Sequence, residues 1–154
     1  MVSFIRLILI WYVLLPAHSY ANLNLDRHAI EQVAKSYLIA QIEVRPKLMA
    51  QIADDELVKR TYWRGKTDGE FVMSMDKAGL VKLAAEYNVS GDRFAKRPKM
   101  EVNVLDLDER IASVKLTTDE WVDYMHLYKN ASGEWQILNV LWQFHQVARH
   151  RSGG

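Results

Sequence analysis

Residues 121–142, WVDYMHLYKNASGEWQILNVLW, constrain the fold more than any other stretch of this chain. Val122, Tyr124 and Tyr128 before the Asn130–Gly133 segment, and Trp135, Ile137 and Val140 after it, are β-branched or aromatic, which suits a pleated, half-buried surface. Gly133 can take the positive φ that a tight connection needs. The pattern predicts a β-hairpin. A four-residue loop sets Lys129 against Glu134 and Trp121 against Trp142. Because side chains alternate, Trp121, Asp123, Met125, Leu127, Leu138, Val140, Trp142 and Phe144 then share one face. Val122, Tyr124, His126, Tyr128, Trp135, Ile137, Asn139 and Leu141 share the other, and a β-bulge would exchange the sets beyond it.

The order W-V-D-Y-x-H-L, a short turn closing in G-x-W and an I-L-N-V-L-W run resembles the putative lumazine-binding branch of the nuclear-transport-factor-2-like superfamily, which also holds ketosteroid isomerases and SnoaL-type polyketide cyclases. The resemblance implies an α+β, cone-shaped fold of N-terminal helices packed on a curved antiparallel β-sheet. Members of one fold host unrelated chemistries, so it implies a fold more strongly than a reaction. Where relatives often carry a His-Pro pair, this chain has Asp54-Asp55, and no role transfers.

At the N-terminus, Arg6 precedes a nine-residue apolar run from Leu7 to Leu15, Pro16 breaks it, and Ser19-Tyr20-Ala21 offers small residues at the positions a signal peptidase reads. The run is well short of the roughly 20 apolar residues that span a bilayer. Residues 1–21 therefore read as a signal peptide, 22–148 as one nuclear-transport-factor-2-like domain and 149–154 as a flexible tail. The expected location is the periplasm or the exterior, with no membrane attachment after cleavage. Removing 21 of 154 residues leaves 133, enough for one small core. Arg6 is the only charge lost, so 20 basic and 19 acidic residues become 19 of each. A neutral chain lacks the basic excess on which nucleic-acid and membrane-surface binding rely. The absence of cysteine excludes disulfides, thiolate catalysis and thiolate metal sites, leaving core packing or a dimer interface to hold the fold.

Between leader and hairpin, Ile30, Val33, Ala34, Tyr37, Leu38 and Gln41 recur at helical spacing behind Asn24 as cap, predicting a first helix that ends near Val44. Pro46 suits the first turn of a short second helix to Ala53, and Asp54-Asp55-Glu56 followed by Leu57–Arg60 reads as another helical turn with acids at its start. Thr61–Trp63 and Glu70–Met73 suggest a small hairpin around Asp68-Gly69. Ser74 reads as the cap of a helix from Met75 to Tyr87 with Leu80, Leu83, Ala84 and Tyr87 on its buried stripe. Residues 88–99 gather Arg93, Lys96, Arg97 and Lys99, either a solvated connection or a basic lid over an anionic ligand. Two strands follow, around Met100–Val104 and Ile111–Lys115.

The first hairpin face is the more apolar and is expected to lie under the helices. Asp123 is its anomaly: desolvation there would raise its pKa and suit it to proton transfer, whereas hydrogen bonds from an indole, a phenol or backbone would make it a structural core group. His126, between tyrosines on the opposite face, reads as a structural histidine or a weaker catalytic candidate. No histidine–acid spacing suggests a metal, no Gly-rich phosphate loop suggests a cofactor, and no nucleophile elbow suggests covalent catalysis. Tyr37, Trp63, Trp121, Asp123 and Trp142 are the expected lining of a pocket for a small planar or apolar ligand. Three functions follow: a ligand-binding domain without catalysis, an isomerase or cyclase using Asp123 or His126, or a homodimeric interaction module. The last rests on the aromatic second face, with Tyr124 and Trp135 in its interface.

Overall fold

The computed structural model describes residues 17–67 and 69–152. The apolar run of the expected leader lies outside them, as does Asp68 of the expected turn. Helix α1 (Ala17–Ile42) turns its Ile30, Ala34, Tyr37, Leu38 and Gln41 stripe into the core. Asn24 is inside this helix instead of capping it. Val44 takes a positive φ of 53°, Arg45 N–H closes on Ala40 O at 2.8 Å, and Pro46 opens α2 (Pro46–Ile52). Among the described residues no helix is long and apolar enough to cross a membrane.

Strand β1 (Ala53–Arg64) occupies the stretch expected to begin as a helical turn. The acids favour a helix start only locally, whereas pairing on both sides with other strands decides the outcome. Leu57, Lys59 and Thr61 are buried at alternate positions, the period of a strand. Asp54 instead anchors the strand entry, accepting from Tyr128 Oη at 2.6 Å and from Glu56 N–H at 2.9 Å. Strand β2 (Glu70–Asp76) returns beside β1, as expected, but runs through Ser74. The helix cap is Asp76, whose Oδ1 accepts from Gly79 N–H at 2.8 Å, and α3 (Lys77–Glu86) buries Leu80 and Ala84. Strands β3 (Glu101–Leu107), β4 (Ile111–Thr117), β5 (Trp121–Lys129) and β6 (Trp135–Phe144) complete a six-stranded sheet of order β2-β1-β6-β5-β4-β3. Every neighbouring pair is antiparallel except β1 and β6, so the sheet is mixed. The helices cover one face, the α+β arrangement expected.

The β5–β6 hairpin forms in a register other than that of a four-residue loop. Lys129 pairs with Trp135 and Leu127 with Ile137; the register then shifts, and His126 pairs with Asn139 and Asp123 with Trp142. The extra residue, Leu138, is a β-bulge, and it exchanges the two side-chain sets on the turn side of β6. Trp135 and Ile137 therefore face the helices, buried, and not the outer surface. Trp135 Nε1 donates to Asp26 Oδ1 of α1 at 2.9 Å, and Lys129 Nζ lies 2.6 Å from the same oxygen. That removes Trp135 from any interface on the outer face. Where a loose tail was expected from Arg149, a 3-10 turn (Val147–Arg149) leads into a backbone bridge to β1: Arg64 N–H donates to His150 O and Ser152 N–H to Arg64 O, each at 2.9 Å.

Candidate functional site

A cavity of about 270 Å³ opens between the helices and one half of the sheet. Its walls come from six elements: Gln41 on α1, Leu83 and the adjoining Tyr87 at the end of α3, Trp63 on β1, Met73 and Met75 on β2, and Trp121, Trp142 and Phe144 on β5 and β6. Alternation puts these β-residues on the covered face, and the convergence of β1 with the ends of β5 and β6 gathers the indoles at one end of the cone. The surroundings are flat and apolar.

Lys59 forms the polar end. Its side chain is buried, and Nζ donates to Asp123 Oδ1 at 3.0 Å and to Tyr37 Oη at 2.5 Å. Asp123 has no exposed surface, and its other oxygen, Oδ2, accepts from Trp121 Nε1 at 2.7 Å. The ammonium also lies 4.9 Å from the Trp142 ring centroid, a cation–π contact. Burial, reinforced by the neighbouring Asp123 carboxylate, pushes the Tyr37 phenol well above its ordinary pKa and keeps it protonated. Gln41 Nε2 donates to Tyr37 O at 3.3 Å, which leaves the amide oxygen as its acceptor. No buried side-chain polar atom among the described residues lacks a partner.

Two further aromatic groups pack against the wall residues without lining the cavity. His150 is buried against Trp63, Trp142 and Phe144, with ring centroids 5.1–5.6 Å away. Its Nε2 accepts from Phe144 N–H at 2.7 Å, so the imidazole is held neutral with its proton on Nδ1. Burial, with a smaller contribution from Arg149, lowers its pKa although the backbone at Tyr62 opposes the shift. On the other side Phe94 stacks against Tyr87 and Trp121, and Asn88 anchors that loop by donating to Ile42 O at 2.7 Å and accepting from Arg93 N–H at 3.0 Å. Arg93, Lys96, Arg97 and Lys99 are exposed and none lines the cavity. The connection backs the wall residues Tyr87 and Trp121 with the Phe94 ring, and Arg93 adds a cation–π contact to Tyr87 at 5.8 Å.

Of the expected pocket residues, Trp63, Trp121 and Trp142 line the cavity, while Tyr37 and Asp123 stand behind Lys59 as its support. Asp123 is hydrogen-bonded through both oxygens, the arrangement of a structural core group. His126 is exposed on the uncovered face and pairs with Ser113 and Asn139, away from this cavity. Sequence reasoning missed Lys59. The alternation Leu57-x-Lys59-x-Thr61 was its signal, hidden by reading the preceding acids as a helix start. It also missed His150, whose role depends on the tail docking. Among the described residues no cluster of histidine and acidic side chains could hold a metal.

The sequence pattern of a family described as "Putative lumazine-binding" matches residues 25–143. No curated protein matches. Among solved structures, an NTF-2 like protein of unknown function from Silicibacter pomeroyi superposes with a TM-score of 0.63 at 12% identity, covering 79% of this chain and 98% of that one. A ketosteroid isomerase-like protein from Erwinia carotovora atroseptica gives 0.53 at 18% identity over 77% and 95%. A conserved protein from Planctomyces limnophilus gives 0.52 at 17% identity over 79% and 98%. At these identities the likeness is one of fold.

Proposed function

The chain belongs to the putative lumazine-binding family, and from that premise we propose that it is an exported domain that holds a small planar or apolar molecule in the cavity ending at Lys59. The observation carrying this reading is the cavity's construction: largely aromatic and apolar walls with two buried polar side chains, Lys59 and Gln41, the combination that binding sites for small organic molecules use. Export rests on the leader-like pattern of residues 1–21 and places the protein in the periplasm or outside the cell. Holding a ligand is favoured over proton transfer by Asp123 or His126, because the first has both oxygens engaged behind Lys59 and the second points away. Titrating tryptophan fluorescence with lumazine, riboflavin and hydrophobic metabolites tests it. A saturable change with one of them is expected; a flat response to all would remove the reading.

A homodimer is also proposed, with its interface moved. Tyr124 and Leu141 are cross-strand neighbours on the uncovered face, 46% and 60% exposed, and Ile111 adds an exposed apolar side chain on β4. A two-fold interface would cover all three twice over.

A further inference from the structure

We infer that the cavity selects neutral planar molecules that carry a carbonyl-type acceptor, read by Lys59, over both hydrocarbons and carboxylates of the same shape. The inference rests on the binding reading above and names its ligand class. A lysine ammonium has three N–H donors, and protein acceptors take two of them, Asp123 Oδ1 and Tyr37 Oη. Lys59 itself lines the cavity, so the third belongs to whatever fills it. A hydrocarbon would strip water from that donor and return nothing, which costs affinity.

Charge decides the other half. Lys59 is the only charged side chain among the described residues lining the cavity, and the Asp123 carboxylate 3.0 Å away already balances it. An entering anion would meet a neutral pair inside aromatic and thioether walls, with no second cation to compensate its lost hydration. None of the exposed basic residues of the 88–99 connection lines the cavity; the Arg93 guanidinium lies 5.8 Å from the ring of the wall residue Tyr87 but stays in solvent. A carbonyl oxygen, by contrast, accepts the ammonium's third hydrogen bond without bringing charge. Gln41 also lines the cavity and brings an amide oxygen as acceptor, so a ring bearing a C=O beside an N–H, a lactam, would satisfy both groups.

Four bicyclic probes of nearly equal shape separate these contributions by equilibrium dialysis against the wild-type protein: naphthalene with no polar atom, coumarin with an acceptor, 2-quinolone with acceptor and donor, and 2-naphthoate with a charge. Coumarin is expected to bind about tenfold more tightly than naphthalene, the worth of one charge-assisted hydrogen bond, with 2-quinolone tighter still and 2-naphthoate weaker than coumarin. The Lys59→Met/Asp123→Leu pair, which removes both charges together, should bring coumarin down to naphthalene while naphthalene is retained. Gln41→Leu should erase only the advantage of 2-quinolone. Equal wild-type affinity for naphthalene and coumarin, or preference for 2-naphthoate, would overturn the inference while leaving the cavity a binding site. Failure of all four to bind would overturn the binding reading itself. The wild-type series decides the matter even if the double variant does not fold.

Discussion

Lys59 and Asp123 lie 64 positions apart in the sequence and 3.0 Å apart in the structure, one on β1 and the other on β5, with β6 between them. The contact crosses a whole strand, so it forms only once β1 has paired in parallel with β6. It ties the two halves of the sheet together at the floor of the cavity.

Removing one partner of such a pair leaves the other charge buried. Lys59→Met is expected to cost about 3–5 kcal/mol in urea unfolding, because it leaves the buried Asp123 carboxylate with neutral donors, the Trp121 indole and the Tyr37 phenol, and no opposite charge. Replacing both, as Lys59→Met/Asp123→Leu, should restore most of that loss. A double variant no more stable than the single one would mean that the pair is not the source of the cost.

His150 makes the docking of the C-terminal segment depend on pH. Its folded-state pKa is lowered, so the unfolded chain binds the proton more readily. The stabilisation is fully present above the unfolded value of about 6.5 and is lost as pH falls through the folded value. Protonating Nε2 would set an N–H against the Phe144 N–H that it accepts from. Amide exchange at Arg64 and Ser152 should accelerate as pH is lowered past 6.5 beyond the intrinsic trend. In His150→Leu that extra acceleration should vanish; its persistence would assign the sensitivity to another group.

The two hairpin faces separate interface from core. Leu141→Glu should halve the mass seen by sedimentation while leaving the far-ultraviolet spectrum intact, since Leu141 is 60% exposed. Trp135→Glu should unfold the protein instead, because it buries a charge beneath α1 beside Asp26. A wild type that sediments as a folded monomer would end the dimer proposal.

How far the sequence alone reaches can be judged residue by residue. The hairpin was legible because β-branched and aromatic side chains flank one glycine, and Gly133 takes a φ of 83° as the turn requires. The helical stripe of α1 was legible from spacing. The register was not, because a bulge at Leu138 depends on how β6 bends to meet β1 as well as β5, a tertiary demand without a local signal. Asp123 stood out as a carboxylate among indoles, yet its partner did not: Lys59 sits in a stretch whose acids mimic a helix start. The site was thus half legible, its walls from composition and its charge pair only from the fold.

The proposed function requires that a small planar molecule occupy the cavity at Lys59. Indole N–H resonances of nitrogen-15-labelled protein, followed during titration with coumarin, test it most directly. Trp63, Trp121 and Trp142 line the cavity, while Trp135 is engaged with α1 elsewhere in the core. Saturable shifts of the first three are expected, with Trp135 unmoved. Shifts centred on Trp135, or no movement of any indole at saturating coumarin, would contradict the proposed function.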